Sequence, residues 1–186
     1  MRLASLPAIA LGLLALATPS RAPAQEVLLT RDQAVREIFP EVVTTAVERR
    51  GLGEARTQLE RRLGRPIAED SVEVIRVLDA AGRLCGYAVV AEEIGKYRPI
   101  TFMVGVTPQL TVRDVAVMVY RESRGSDVKR KRFLSQYRGK SARDPIDSNR
   151  DIINVSGATI SVRAMNGGVR RVLAELTALY APAPAR

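Results

Sequence analysis

Apolar residues recur at helical spacing, then alternate as strands do, then return to helical spacing. Thr30-Arg31-Asp32-Gln33 has the form of a capping box, and Ala34, Val35 and Ile38 follow on one face before Pro40. Leu52, Ala55, Leu59 and Leu63 make a second helical stripe over Gly53–Leu63, stopped by Gly64 and Pro66. The spacing then shortens to two. Val72–Leu78 is rich in β-branched residues, Ala80-Ala81-Gly82 suits a turn, and Leu84–Ala91 reads as the return strand. In Pro99–Val106, Ile100, Phe102, Val104 and Val106 alternate, and so do Val115, Val117 and Val119 within Thr111–Tyr120. Short turns between these runs predict an antiparallel meander. Met103 and Gly105 leave the third run apolar on its second face too, so a helix or a ligand is expected to cover it.

A helical pattern resumes at 127–138 through Val128, Phe133, Leu134 and Tyr137. Arg143–Asn154 is a polar, Asp-rich loop. The last helix starts near Ala158, with Val162, Met165, Val169, Val172, Leu173, Leu176 and Leu179 on one stripe. The expected class is α+β, an antiparallel sheet with flanking helices. The expected organisation is an N-terminal helical segment, 25–69, packed on a domain spanning 70–180. A Pro/Ala tail, 181–186, is expected to be disordered.

Residues 1–24 stand apart. Arg2 precedes an apolar core, Leu6–Ala17, and Ala22-Pro23-Ala24 offers a small-x-small cleavage site, which reads as a secretory signal peptide. The core is too short to span a bilayer, and no later segment is apolar enough, so export to the periplasm without a membrane span is expected. The chain has 29 Lys+Arg against 20 Asp+Glu, a net charge of +9, which favours acidic partners or anionic ligands. With no Trp and few other aromatic residues for base stacking, no nucleic-acid partner is expected. The absence of His excludes Ser-His-Asp and Cys-His catalysis and His-ligated zinc. The one cysteine, Cys85, has no internal disulfide partner and reads as a small core residue. Redox chemistry therefore needs an organic cofactor.

One hexapeptide stands out: Ser156-Gly157-Ala158-Thr159-Ile160-Ser161. It joins the polar loop to the last helix. Small residues allow close approach, the first helical N–H groups lack intrahelical partners, and the helix dipole favours an anion there. Thr159 adds a hydroxyl. The same residues also suit an ordinary loop-to-helix junction.

Further segments join this one in a resemblance. Gly95-Lys96-Tyr97 precedes the strand Ile100–Val106; Glu122-Ser123-Arg124-Gly125 follows the next strand; then come Phe133, Gln136-Tyr137-Arg138-Gly139-Lys140 and Ser156-Gly157-Ala158-Thr159. In this order they resemble the FMN-binding domain family over roughly residues 70–175. Members include the C subunit of the sodium-pumping NADH:quinone oxidoreductase and the G subunit of the Rnf complex. The resemblance implies an FMN-binding-domain-like fold and an electron carrier, with FMN joined to Thr159 through a phosphoester. It implies a flavin transferase as maturation partner, and a cytochrome or membrane oxidoreductase as redox partner. Ser156, Gly157, Ala158, Ile160 and Ser161 would form the phosphate end. Glu122, Ser123, Arg124, Gly125 and Tyr97 would approach the ring, and Lys140 the phosphate or ring. Ile153 stands where members commonly carry Asp, and Arg124 where they carry Pro.

Other features have plainer readings. Lys129-Arg130-Lys131-Arg132 is a solvated helix face or a patch for an acidic redox partner. Asp144, Asp147 and Asp151 are solvated loop residues or magnesium ligands. No acid, base and nucleophile arrangement is evident, so a carrier is favoured over a stand-alone enzyme. A flavin-dependent reductase of a small substrate or quinone and a non-redox binding or assembly module are the rival functions.

Overall fold

The computed structural model describes residues 26–181, so the signal-peptide expectation, and all of the tail but Ala181, lie outside the described residues. Two short elements open the described residues, strand β1 (Glu26–Val27) and helix α1 (Arg31–Ile38). Thr30 caps α1 as expected: its side chain accepts from the Gln33 N–H at 3.3 Å, and its own N–H donates to Gln33 Oε1 at 2.8 Å. Strand β2 (Thr44–Gly51) and helix α2 (Ala55–Leu63) follow, and Gly64 ends α2 in a left-handed conformation. Strands β3 (Ser71–Leu78), β4 (Leu84–Ile94), β5 (Pro99–Val106) and β6 (Val112–Tyr120) form the antiparallel meander. Beyond them lie a short helix, α3 (Lys131–Leu134), flanked by 3-10 turns, and the long helix α4 (Thr159–Tyr180).

Among the described residues the sheet has six strands, in the order β1-β6-β5-β4-β3-β2. Two of them correct the expected helical character of 25–69. β1 pairs Glu26 with Tyr120 and Val27 with Val119, and β2 pairs along the whole of β3, Thr44↔Leu78 to Gly51↔Ser71. β2 is an edge strand exposed on both faces, so no apolar alternation marks it in the sequence. The 127–138 pattern gives broken turns rather than one helix.

Helices cover both faces of the sheet. Val162, Met165, Val169, Val172, Leu173 and Leu176 of α4 are fully buried against one face, with Phe102 and Val104 of β5 beneath. Each such burial contributes about 1.5–3 kcal/mol. On the other face α1 packs Ala34, Val35 and Ile38, with Phe39, against Ile75, Val77, Met103 and Met118. A helix, not a ligand, thus covers the second apolar face of β5. Gly105 lets α1 come close, because a Cβ there would overlap Ile38 Cγ2 and lie 2.9 Å from Phe39 Cε2. Cys85 is half-buried beside this second core, and burial pushes its thiol up, away from a reactive thiolate.

β3 and β4 are joined over only half their length. Their register runs from Ile75↔Ala88 to Leu78↔Leu84, so Ser71–Val74 and Val89–Ile94 part. Ion pairs lie near the parting: Arg65 forks onto Glu93 at 2.7 and 2.8 Å, and Arg171 of α4 reaches Glu93 at 3.1 Å.

Candidate functional site

The start of α4 meets the end of β6 and the β4–β5 turn in an open cleft of about 400 Å³. Nine of the expected site residues line it: Gly157, Ala158, Thr159, Ile160 and Ser161 on one wall, Glu122, Ser123, Arg124 and Tyr97 on the other. Lys96 joins them, although its motif alone gave it no assigned contact.

Each wall has a local cause. Ala158 is the N-cap of α4, and its side chain offers no cap, so no side-chain acceptor from the cap serves the first-turn N–H groups. That turn holds no acidic residue either. Gly157 takes φ +76°, the left-handed region, and turns the chain into the helix. The Thr159 hydroxyl accepts from Asn154 Nδ2 at 3.1 Å, while Asn154 Oδ1 accepts from the Val155 N–H at 3.0 Å. Asn154 therefore fixes both its own loop and the threonine oxygen. It was not among the expected site residues; the only sequence signal is the tendency of Asn to bond nearby backbone.

On the opposite wall, Glu122 does not point a free carboxylate at the cleft. Its Oε1 accepts from the N–H groups of Tyr97 at 2.6 Å and Arg98 at 3.0 Å, clamping the β4–β5 turn. Tyr97 is thereby held at the rim, 73% exposed, with the Lys96 ammonium 4.9 Å from its ring centre. Behind the wall, the Tyr120 hydroxyl donates to the Arg124 carbonyl at 2.5 Å, and Lys129 lies 5.3 Å from the Tyr120 ring centre. Burial pushes the Tyr120 phenol up. Gly125, at φ +77°, sits between the walls: a Cβ there would lie 3.2 Å from Ala158 Cβ, Ser161 Oγ and the Tyr120 hydroxyl alike.

Two expected site residues lie elsewhere. Ser156 lines a neighbouring groove with Arg130, Phe133 and Ile153. Lys140 does not line the cleft; its ammonium is paired with Asp151 at 2.8 Å and is only 16% exposed. The Asp-rich loop is braced internally. Asp144 accepts from the Ser141 N–H and hydroxyl at 2.7 and 2.8 Å, and these bonds hold its carboxyl below the usual range. Asp151 accepts from Lys140 and from the N–H groups of Ile146 and Asp147. Among the described residues no group of three or more acidic or cysteine side chains could hold a metal ion. Nor is the basic run one free patch: Lys129 pairs with Glu26 at 2.5 Å, Arg130 with Asp127 at 2.8 Å and Lys131 with Glu37 at 3.6 Å.

The Gln136–Lys140 motif acts as a brace. Gln136 accepts from the Ile153 N–H at 2.7 Å and donates to its carbonyl at 3.4 Å. Tyr137 is buried and donates to Asn166 of α4 at 2.7 Å. The segment leading into Thr159 is thus tied on both sides.

Residues 95–174 match the model of the family described as the FMN-binding domain. The match covers the segments that carry the resemblance from Gly95 onward, and so bears out the resemblance read from the sequence. Among solved structures, NqrC of Shewanella oneidensis is similar at a TM-score of 0.54 with 17% identity, covering 78% of this chain and 85% of that one. The C subunit of the Na(+)-translocating NADH-quinone reductase from Parabacteroides distasonis is also similar at 0.54, with 12% identity, over 84% of this chain and 87% of that one. At such identities the likeness is one of fold, and it supports the α+β expectation. No curated protein matches the chain. Among the described residues, no helix is long and apolar enough to cross a membrane.

The cleft fits the cofactor's chemistry. Thr159 and the uncapped start of α4 suit a phosphate, and Arg124 and Lys96 add positive charge. Ile160, 45% exposed, and Tyr97 give apolar surface beside it.

Proposed function

We propose that this protein is an exported, periplasmic electron carrier whose FMN is attached through a phosphoester to Thr159. The observation that carries this reading is the Thr159 hydroxyl, held by Asn154 at the uncapped start of α4 and lining the cleft shared with Lys96 and Arg124. A separate flavin transferase would join the threonine oxygen to the FMN phosphorus of FAD, breaking the pyrophosphate and releasing AMP, with the hydroxyl proton lost to a base of the transferase. The flavin, when bound, supplies one- and two-electron transfer; the protein supplies position and charge.

The residues divide that work. The α4 start and Thr159 hold the phosphate. Glu122 keeps the 95–98 turn in place, so Tyr97 and Lys96 stay at the rim. Arg124 favours negative charge on the ring by Coulomb attraction. The redox partner is an acidic face of a cytochrome or membrane oxidoreductase, met by the basic surface of this chain. The test is in-gel flavin fluorescence after co-expression with a flavin transferase. Under denaturing conditions, fluorescence should travel with the wild-type protein and be missing from Thr159→Ala. Equal fluorescence in both would remove Thr159 from the account.

A further inference from the structure

A second cavity, of about 450 Å³, opens where β3 and β4 part. It lies toward the far end of α4: Glu175 on its wall is 16 residues beyond Thr159, roughly 24 Å along a helix. Val72 and Val89 from the parted strands give it an apolar side. Glu175 is 1% exposed. Its Oε1 accepts from Arg171 Nη1 at 3.3 Å, but its Oε2 is buried with no hydrogen-bond partner among the described residues.

The nearby cations do not meet that need. Arg171 is shared with Glu93 at 3.1 Å, and Arg65 is committed to Glu93 by its fork. Arg49 lines the cavity, but so do three further carboxylates. Of these, Glu73 pairs with Arg31, and Glu92 accepts from Thr101 at 2.8 Å with Arg121 at 3.7 Å. The third is Glu69. The lining is net acidic in an otherwise basic protein. A buried carboxylate oxygen without a donor is costly, and burial already pushes the Glu175 carboxyl up against the pull of Arg171. A donor that also brings positive charge would relieve both.

We propose that this cavity binds a primary aliphatic amine, whose ammonium donates to Glu175 Oε2 and whose hydrocarbon chain lies along Val72 and Val89. An ammonium brings three donors and no acceptor, which suits the unpartnered oxygen with Glu69 nearby. The apolar side favours a chain over a bare inorganic ion. This site is separate from the Thr159 cleft and does not depend on the flavin.

The test is calorimetric titration of the whole exported chain with cadaverine, with n-pentanoate as the anionic control. Cadaverine should bind at one site, and n-pentanoate should not. Kd should rise at least tenfold in Glu175→Gln, rise severalfold in Glu69→Gln, and stay unchanged in Thr159→Ala. Circular dichroism checks that each variant is folded; if Glu175→Gln is not, Glu69→Gln at the exposed rim decides. No binding of cadaverine to the wild type, or an unchanged Kd in the folded glutamate variants, overturns the proposal.

Discussion

Replacing Gly125 with alanine tests how closely the two walls of the cleft are fitted, and Gly157→Ala supplies the control. Both glycines have nearly the same backbone, φ +77° and +76°. Holding an L-residue in that region costs about 1–2 kcal/mol. A Cβ at 157 meets nothing within 4 Å, so Gly157→Ala should lose only this term. A Cβ at 125 meets three atoms at 3.2 Å. The Ser161 hydroxyl can rotate, but Ala158 Cβ is fixed to the N-cap of α4, and the Tyr120 hydroxyl is held by the Arg124 carbonyl. Relief requires the start of α4 to move away from β6. Overpacking of this kind costs about 1–3 kcal/mol more. For small proteins ΔG falls by about 1–3 kcal/mol per molar urea; at about 2, the midpoint should drop roughly 0.5–1 M for Gly157→Ala and roughly 1–2.5 M for Gly125→Ala. The assay is urea unfolding followed by circular dichroism, with equal slopes confirming a shared denatured state. A Gly125→Ala shift no larger than that of Gly157→Ala would refute the argument that Gly125 serves close packing.

Other predictions reach different parts of the molecule. Gly105→Ala places a methyl into Ile38 and Phe39 and should destabilise by about 1–3 kcal/mol, seen as a lower melting temperature and loosened α1 in hydrogen exchange. Tyr120→Phe removes the bond to the Arg124 carbonyl and should cost about 1 kcal/mol by urea unfolding, with the sheet spectrum unchanged. Asp144 has a folded carboxyl pKa below its unfolded value of about 3.9, so its contribution is present above that pH and lost as pH falls through the folded pKa. The urea midpoint should therefore fall less steeply below about pH 4 in Asp144→Asn than in the wild type; parallel curves would contradict this.

The meander and the two main helical stripes were legible because their apolar periods are clean. α4 buries an unbroken stripe, and the Thr30 capping box is local chemistry that needs no tertiary help. β2 was hidden because pairing to β3 through backbone leaves its side chains exposed, so its order comes from a neighbour. The cleft was legible in part. Contiguous residues 157–161 and 122–124, which only the family resemblance grouped, line it together. Lys140 lies outside the cleft, and its sequence gives no sign of its partner, Asp151, eleven residues on. The roles of Glu122 and Asn154 were not legible either: both serve backbone or hydroxyl groups that only the fold brings within reach.

The most direct test of the central claim is the intact mass of the exported chain after co-expression with a flavin transferase, beside Thr159→Ala. The account predicts that wild type gains the mass of FMN less one water and that Thr159→Ala gains none. An unmodified wild type in the presence of an active transferase, or the same gain in both, would contradict it.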